Sequence, residues 1–120
     1  EYNDKPVIFC DIDGTLVVNQ GRVGVNSFNS SPFPLTKNVC RILAWQKKGA
    51  QVIFTTARKE IYREQTINLL EKIGFENPVV IMNLQNTRRI LINDYNEANP
   101  FPRAEAINIR RNSDNLGDFL

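Results

Sequence analysis

The sequence predicts an α/β domain built on a mainly parallel sheet of about five strands. Apolar runs of strand-forming residues alternate with stretches of helical periodicity, and strand, helix, strand, helix is the order that places parallel strands side by side. The first run, Val7-Ile8-Phe9-Cys10, is apolar without alternation, as a strand covered on both faces should be. It ends in Asp11 and Asp13, two carboxylates one residue apart, at the sheet edge where open α/β proteins place their chemistry. With 120 residues the chain fits one domain that buries a real core, without room for a second independent one.

Pro6 opens the first strand, which runs from Val7 to Ile12. From Val17 to Pro34 the texture changes to short Val-rich pieces around Asn19-Gln20-Gly21, followed by a polar loop, and this predicts a β-hairpin and loop standing over the carboxylates. Thr36 is placed to N-cap a helix with Val39, Ile42, Leu43 and Trp45 inward, Lys47-Lys48 in its last turn and Gly49 as its stop. Gln51 to Thr55 is the second strand and leads into Thr56-Ala57-Arg58. A second helix from about Lys59 turns Tyr62, Leu69, Leu70 and Ile73 inward and closes at Gly74. Val79 to Met82 and Arg89 to Ile92 are the third and fourth strands. Only six residues separate them, too few for a parallel crossover, so an antiparallel excursion or a short edge strand is expected there. Ala106 to Ile109 is a last short strand, and the tail from Arg110 to Leu120 is polar apart from Leu116, Phe119 and Leu120.

Composition removes several function classes. Lys plus Arg number 15 against 13 Asp plus Glu, so a net charge of +2 creates no field that selects nucleic acid or a membrane surface. The pairs Arg88-Arg89 and Arg110-Arg111 lack an aromatic RNA motif beside them and read as solvated surface, with one member of the first pair expected to face the site. Histidine is absent, which eliminates His-based triads, His-ligated zinc and imidazole acid/base chemistry. Cys10 and Cys40 read as small buried apolar residues, consistent with a reducing compartment and a cytoplasmic chain. The N-terminus is polar and no run approaches the roughly 18 apolar residues of a membrane span.

Three strand ends present polar groups: Asp11 and Asp13, Thr55 or Thr56, and Asn93-Asp94. In parallel strands these share one edge, which suits metal-assisted phosphoryl transfer. Other readings of the same residues are weaker or equal. A calcium loop starting at Asp11 would need Gly at its sixth position and Glu at its twelfth, where Leu16 and Arg22 stand. The hydroxyl of Thr56 equally suits capping of the following helix, Thr55 competes with it, and Arg58 suits pairing with a nearby acid. Gly21 and Gly24 lack the third glycine and the following helix of a dinucleotide site.

Asp11-Ile12-Asp13-Gly14-Thr15 after an apolar strand resembles the signature of the haloacid dehalogenase (HAD) superfamily of phosphatases. The resemblance implies a Rossmann-like three-layer sandwich and a Mg²⁺ cofactor. It makes Asp11 the nucleophile that forms an aspartyl-phosphate, and Asp13 the general acid/base. Asp11, the main-chain carbonyl of Asp13, and Asp94 would hold the metal. Thr56, Ala57 and the Gly14 turn would hold phosphoryl oxygens. The family's third-motif Lys has no counterpart, because no Lys lies between Lys72 and Leu120, and Arg88 or Arg89 is expected to replace it. Asn93 stands where relatives often carry a second acid. Intervals of 42 residues between Asp13 and Thr56, and 37 between Thr56 and Asp94, leave no room for a cap domain. The chain is thus similar to capless HAD phosphatases, with the 17–34 excursion as cover and a homo-oligomeric partner as an expected lid. Asp13 implies hydrolysis of a phosphomonoester, since an alkoxide leaving group needs a proton. The stretch from Leu91 to Asn112 resembles small phosphatases of sugar metabolism, which makes a sugar phosphate the first expected substrate. A phosphorylated macromolecule, or a phosphate-binding regulatory module with little turnover, is the alternative.

Overall fold

The computed structural model describes residues 5–19, 33–98 and 101–120. Three parallel strands, β1 (Val7–Asp11), β2 (Gln51–Thr55) and β3 (Val79–Ile81), form one sheet in that order. Helix α1 (Thr36–Lys47) joins the first two strands, while a 3-10 turn (Glu60–Tyr62) and helix α2 (Arg63–Lys72) join the last two. The register aligns Phe9 with Ile53 and Val79, and Asp11 with Thr55 and Ile81.

Each strand lies beside its predecessor, so the sheet grows in one direction, and crossovers of one hand then place both helices on the same face. Burial follows that geometry. Cys10, Val52, Phe54 and Val80 lie in the core with Val39 and Ile42 of α1 and Leu70 of α2. On the opposite face Val7, Phe9, Val79 and Ile81 are exposed at 48, 51, 56 and 42%. The described residues therefore form two layers and three strands, where the sequence suggested three layers and about five strands. Covering the second face requires strands beyond β1, and the two segments expected to supply them, 89–92 and 106–109, carry no strand. Their β-branched residues suit a strand, but a ladder partner is settled by tertiary context, and no local pattern encodes it. Ile90, Leu91 and Ile92 are exposed, whereas Ile107 and Ile109 pack against the core without joining a strand.

Helix α1 buries Val39 and Ile42 and stops at Gly49, whose φ of +108° suits a residue without a Cβ. Thr36 does not cap it. The N-cap is Leu35, which offers no side-chain bond, and the free N–H groups of Lys37 and Asn38 donate instead to Asp114 at 3.2 and 2.8 Å. After α2 the chain returns through Phe75, which packs edge-on against Phe54 with ring centroids 4.8 Å apart. Cys10 is buried as expected, but Cys40 is exposed on the outer side of α1. Trp45 is only half-buried, because its indole N–H reaches out to the carbonyl of Leu120 at 3.1 Å.

Of the excursion over the carboxylates, residues 20–32 lie outside the described chain. Its two ends are zipped together: the N–H of Val18 donates to Phe33 and that of Leu35 to Leu16, both at 2.8 Å. Val17 thereby bridges Asp13 on one side and Pro34 on the other.

Candidate active site

Strand β1 ends as its carboxylates appear. Ile12, fully buried, anchors the chain in the core, and its carbonyl accepts from the N–H groups of Thr15, Leu16 and Val17 at 3.2, 2.9 and 3.2 Å. Gly14 makes the reversal possible with a φ of +87°, and its N–H is bound to the Val17 carbonyl at 2.7 Å. Its expected part in phosphate binding would therefore have to fall to the shape of the turn, because its amide is already used.

Asp11 stands at the carboxyl end of β1, exposed at its surface yet crowded by protein. Burial of its carboxyl is the main cause that raises its pKa, and the nearby charge of Asp13 adds to it. Hydrogen bonds from the Ile12 N–H and from the Thr15 hydroxyl, the latter at 3.3 Å, oppose that rise, as does the positive charge of Arg89. Of the two arginines expected here, Arg89 is thus the one whose charge acts on Asp11. Its guanidinium also bonds the carbonyls of Gln85 and Thr87, which folds the arginine back over its own loop. Arg88 is exposed.

The second strand end contributes less directly. Thr55 is the register partner of Asp11. Thr56 is buried, and its hydroxyl oxygen accepts the N–H of Arg58 at 3.0 Å, so that oxygen caps the turn while its proton remains available to a ligand. Ala57 is half-buried between them.

Asp13 has a defined partner. Arg58, only 3% exposed, donates through Nε and an Nη to the two oxygens of Asp13 at 2.9 and 2.8 Å, and through its other Nη to the hydroxyl of Thr66 at 3.2 Å. Thr66 in turn donates to the Tyr62 carbonyl at 2.8 Å. This two-pronged grip fixes the carboxylate in one plane. A buried arginine otherwise costs more than its partner returns, so the pairing fits a role in orientation better than one in stability alone.

The C-terminal segment, which carried no pattern in the sequence, braces the same turn. Asn112 donates its N–H to the Gly14 carbonyl at 2.8 Å, and its side-chain amide both accepts from and donates to the backbone of Asn19, at 2.7 and 3.1 Å. Asn38, fully buried, donates to the carbonyls of Thr15 and Ser113, both at 2.8 Å, and accepts from the N–H of Leu116 at 2.9 Å. A sequence signal for Asn38 existed: it is an amide four residues before Ile42, on the buried face of α1. Asn112 and Asp114 gave none, since a polar Asn-Ser-Asp-Asn run matches a solvated tail equally well.

Asp94 is exposed in a segment without regular structure. Among the described residues, no group of three or more His, Cys, Asp or Glu side chains stands close enough together to hold a metal ion. The arrangement therefore unites Asp11, Asp13, Thr15, Arg58 and Arg89, and does not bring Asp94 into a carboxylate cluster with the first two.

Among the described residues, no helix is long and apolar enough to cross a membrane. No curated protein and no solved structure matches the chain significantly. Residues 7–110 match the family described as PITM 1-3, LNS2 domain. This span starts with β1 and takes in both carboxylates, Arg58 and Arg89, and the chain belongs to the LNS2 domain family, within the HAD-like superfamily.

Proposed function

We propose that the chain is a Mg²⁺-dependent phosphomonoester hydrolase that works through an aspartyl-phosphate on Asp11. The observation that carries this reading is the pairing of an accessible carboxylate at the end of β1 with a second carboxylate two residues on, which Arg58 holds in a fixed orientation. Membership of the LNS2 family supports a HAD-type phosphatase or a lipid-binding module.

The Asp11 carboxylate attacks phosphorus, an oxygen–phosphorus bond forms, and the bond to the leaving alcohol breaks. Asp13 gives that alcohol its proton. It then takes a proton from the water that attacks the phosphoryl group, which restores Asp11 and releases phosphate. Arg89 supplies positive charge to balance the incoming phosphate against the Asp11 anion. Arg58 keeps Asp13 aimed.

The donor set suits Mg²⁺, which is commonly held by one or two carboxylates while waters and substrate phosphate fill its remaining positions. The carboxylate of Asp11 and the carbonyl of Asp13 would hold it, and it would supply neutralisation of phosphoryl charge. Asp94 would join them if the 89–94 segment added to the free edge of β1. A sugar phosphate is the first substrate class of this reading.

A second reading, a phosphate- or lipid-binding module with little turnover, is favoured by the same Arg58–Asp13 contact, which occupies the group that would have to move protons. Release of p-nitrophenol from p-nitrophenyl phosphate with magnesium separates the two. Turnover that stops with chelator, and in an Asp11→Asn variant, is expected for the hydrolase. Phosphate binding without turnover would favour the module.

A further inference from the structure

The proposed chemistry uses neither Arg110 nor Arg111, yet the structure gives Arg111 a fixed place. On one side Ile109 packs against the core, and on the other Asn112 is tied to Gly14 and Asn19 by the three bonds described above. Held between these anchors, Arg111 lays its stem across the catalytic turn: its Cγ is 3.2 Å from the point where a Cβ on Gly14 would stand. Its side chain is exposed. The other two cations at the site are already engaged, Arg58 with Asp13 and Arg89 with the field of Asp11 and with two carbonyls. A guanidinium that makes no bond among the described residues, carried on a stem packed over the turn that follows Asp13, suits an anion located beyond the reacting phosphoryl group.

We propose that Arg111, held over the Asp13-Gly14-Thr15 turn by the Asn112 clamp, binds a second anionic group carried by the leaving-group side of the substrate. Resting on the phosphomonoesterase reading, this selects a sugar phosphate that bears a further phosphate or carboxylate over one with a single anion.

The test uses the full chain with glucose 6-phosphate, glucose 1,6-bisphosphate and 6-phosphogluconate, comparing the natural protein with Arg111→Gln and Arg111→Lys. The natural protein should prefer one of the doubly anionic compounds, and which one tells phosphate from carboxylate. In Arg111→Gln the ratio of its kcat/KM to that of glucose 6-phosphate should fall about tenfold, the order expected for one charge-assisted contact, with partial recovery in Arg111→Lys. A ratio near one in the natural protein, or a ratio that Arg111→Gln leaves unchanged, would overturn the proposal. If none of the three is hydrolysed, the sugar-phosphate reading of the substrate fails separately, p-nitrophenyl phosphate turnover still decides the phosphatase reading, and calorimetric binding of the same compounds decides the anion site. Tighter binding of a doubly anionic sugar that weakens about tenfold in Arg111→Gln supports the anion site, and equal affinities overturn it.

Discussion

Burial raises the pKa of Asp11, and an acid whose folded pKa lies above its unfolded value is favoured by the fold only while protonated. That contribution is complete below the ordinary carboxylate range and is lost as pH rises through the raised value. Asp11→Asn should accordingly melt at a higher temperature than the natural protein at pH 7, with the difference vanishing at acid pH where both side chains are neutral. Thermal melts across pH check this, and a variant less stable at pH 7 would count against it. A carboxylate that costs stability is common at functional sites. Cysteines give an independent check of packing at residue scale. The Cys10 thiol is pushed up to about 12, by burial first and by Asp11 second, while Cys40 is exposed. Titration with a thiol reagent near pH 8 should show one fast group, at Cys40, and one that reacts only on unfolding. Arg58 belongs at this scale as well. Arg58→Ala should lower kcat more than KM and cost about 2 kcal/mol of stability, because Asp13 loses its orientation and Thr66 a partner.

Helix α1 is held at its start by residues more than seventy positions away. Asp114 caps it and Asn38 links it to Thr15, Ser113 and Leu116, so the helix, the Asp13-Gly14-Thr15 turn and the C-terminal segment form one unit. Asp114→Ala should cost about 1 kcal/mol, as loss of an N-cap does. Asn38→Ala should cost about 3 kcal/mol, since three backbone groups, one buried and two partly buried, lose their partner at once. Urea unfolding of the two variants measures both, and equal small effects would show that the brace is dispensable. Both helices and the first three strands were legible in the sequence, because apolar spacing, Gly49 and Gly74 act within a few residues. The cap was misassigned to Thr36, since a polar residue at the right position is indistinguishable locally from one supplied by the distant Asp114.

Among the described residues, one sheet edge gathers the candidate site while one sheet face stays open. The strand order β1-β2-β3 puts Asp11 and Thr55 side by side, and the turn after β2 delivers Arg58 to Asp13. The carboxylate pair and an acid partner for Arg58 could be read from the sequence, because the first strand and its Asp-x-Asp-Gly-Thr ending form one local pattern. Long-range features were not legible: which arginine senses Asp11, and that residues 112–116 brace the turn, both depend on packing across the chain. Segments 89–92 and 106–109 show the same limit, as apolar residues propose a strand but only a neighbour confirms one. The central claim is that Asp11 accepts the phosphoryl group. It is tested most directly by quenching turnover of p-nitrophenyl phosphate with borohydride, which reduces an aspartyl-phosphate to homoserine, and by mapping the product by peptide mass spectrometry. Homoserine at position 11, absent without substrate, is the predicted result; phosphate release with Asp11 unmodified, or homoserine at another aspartate, would contradict it.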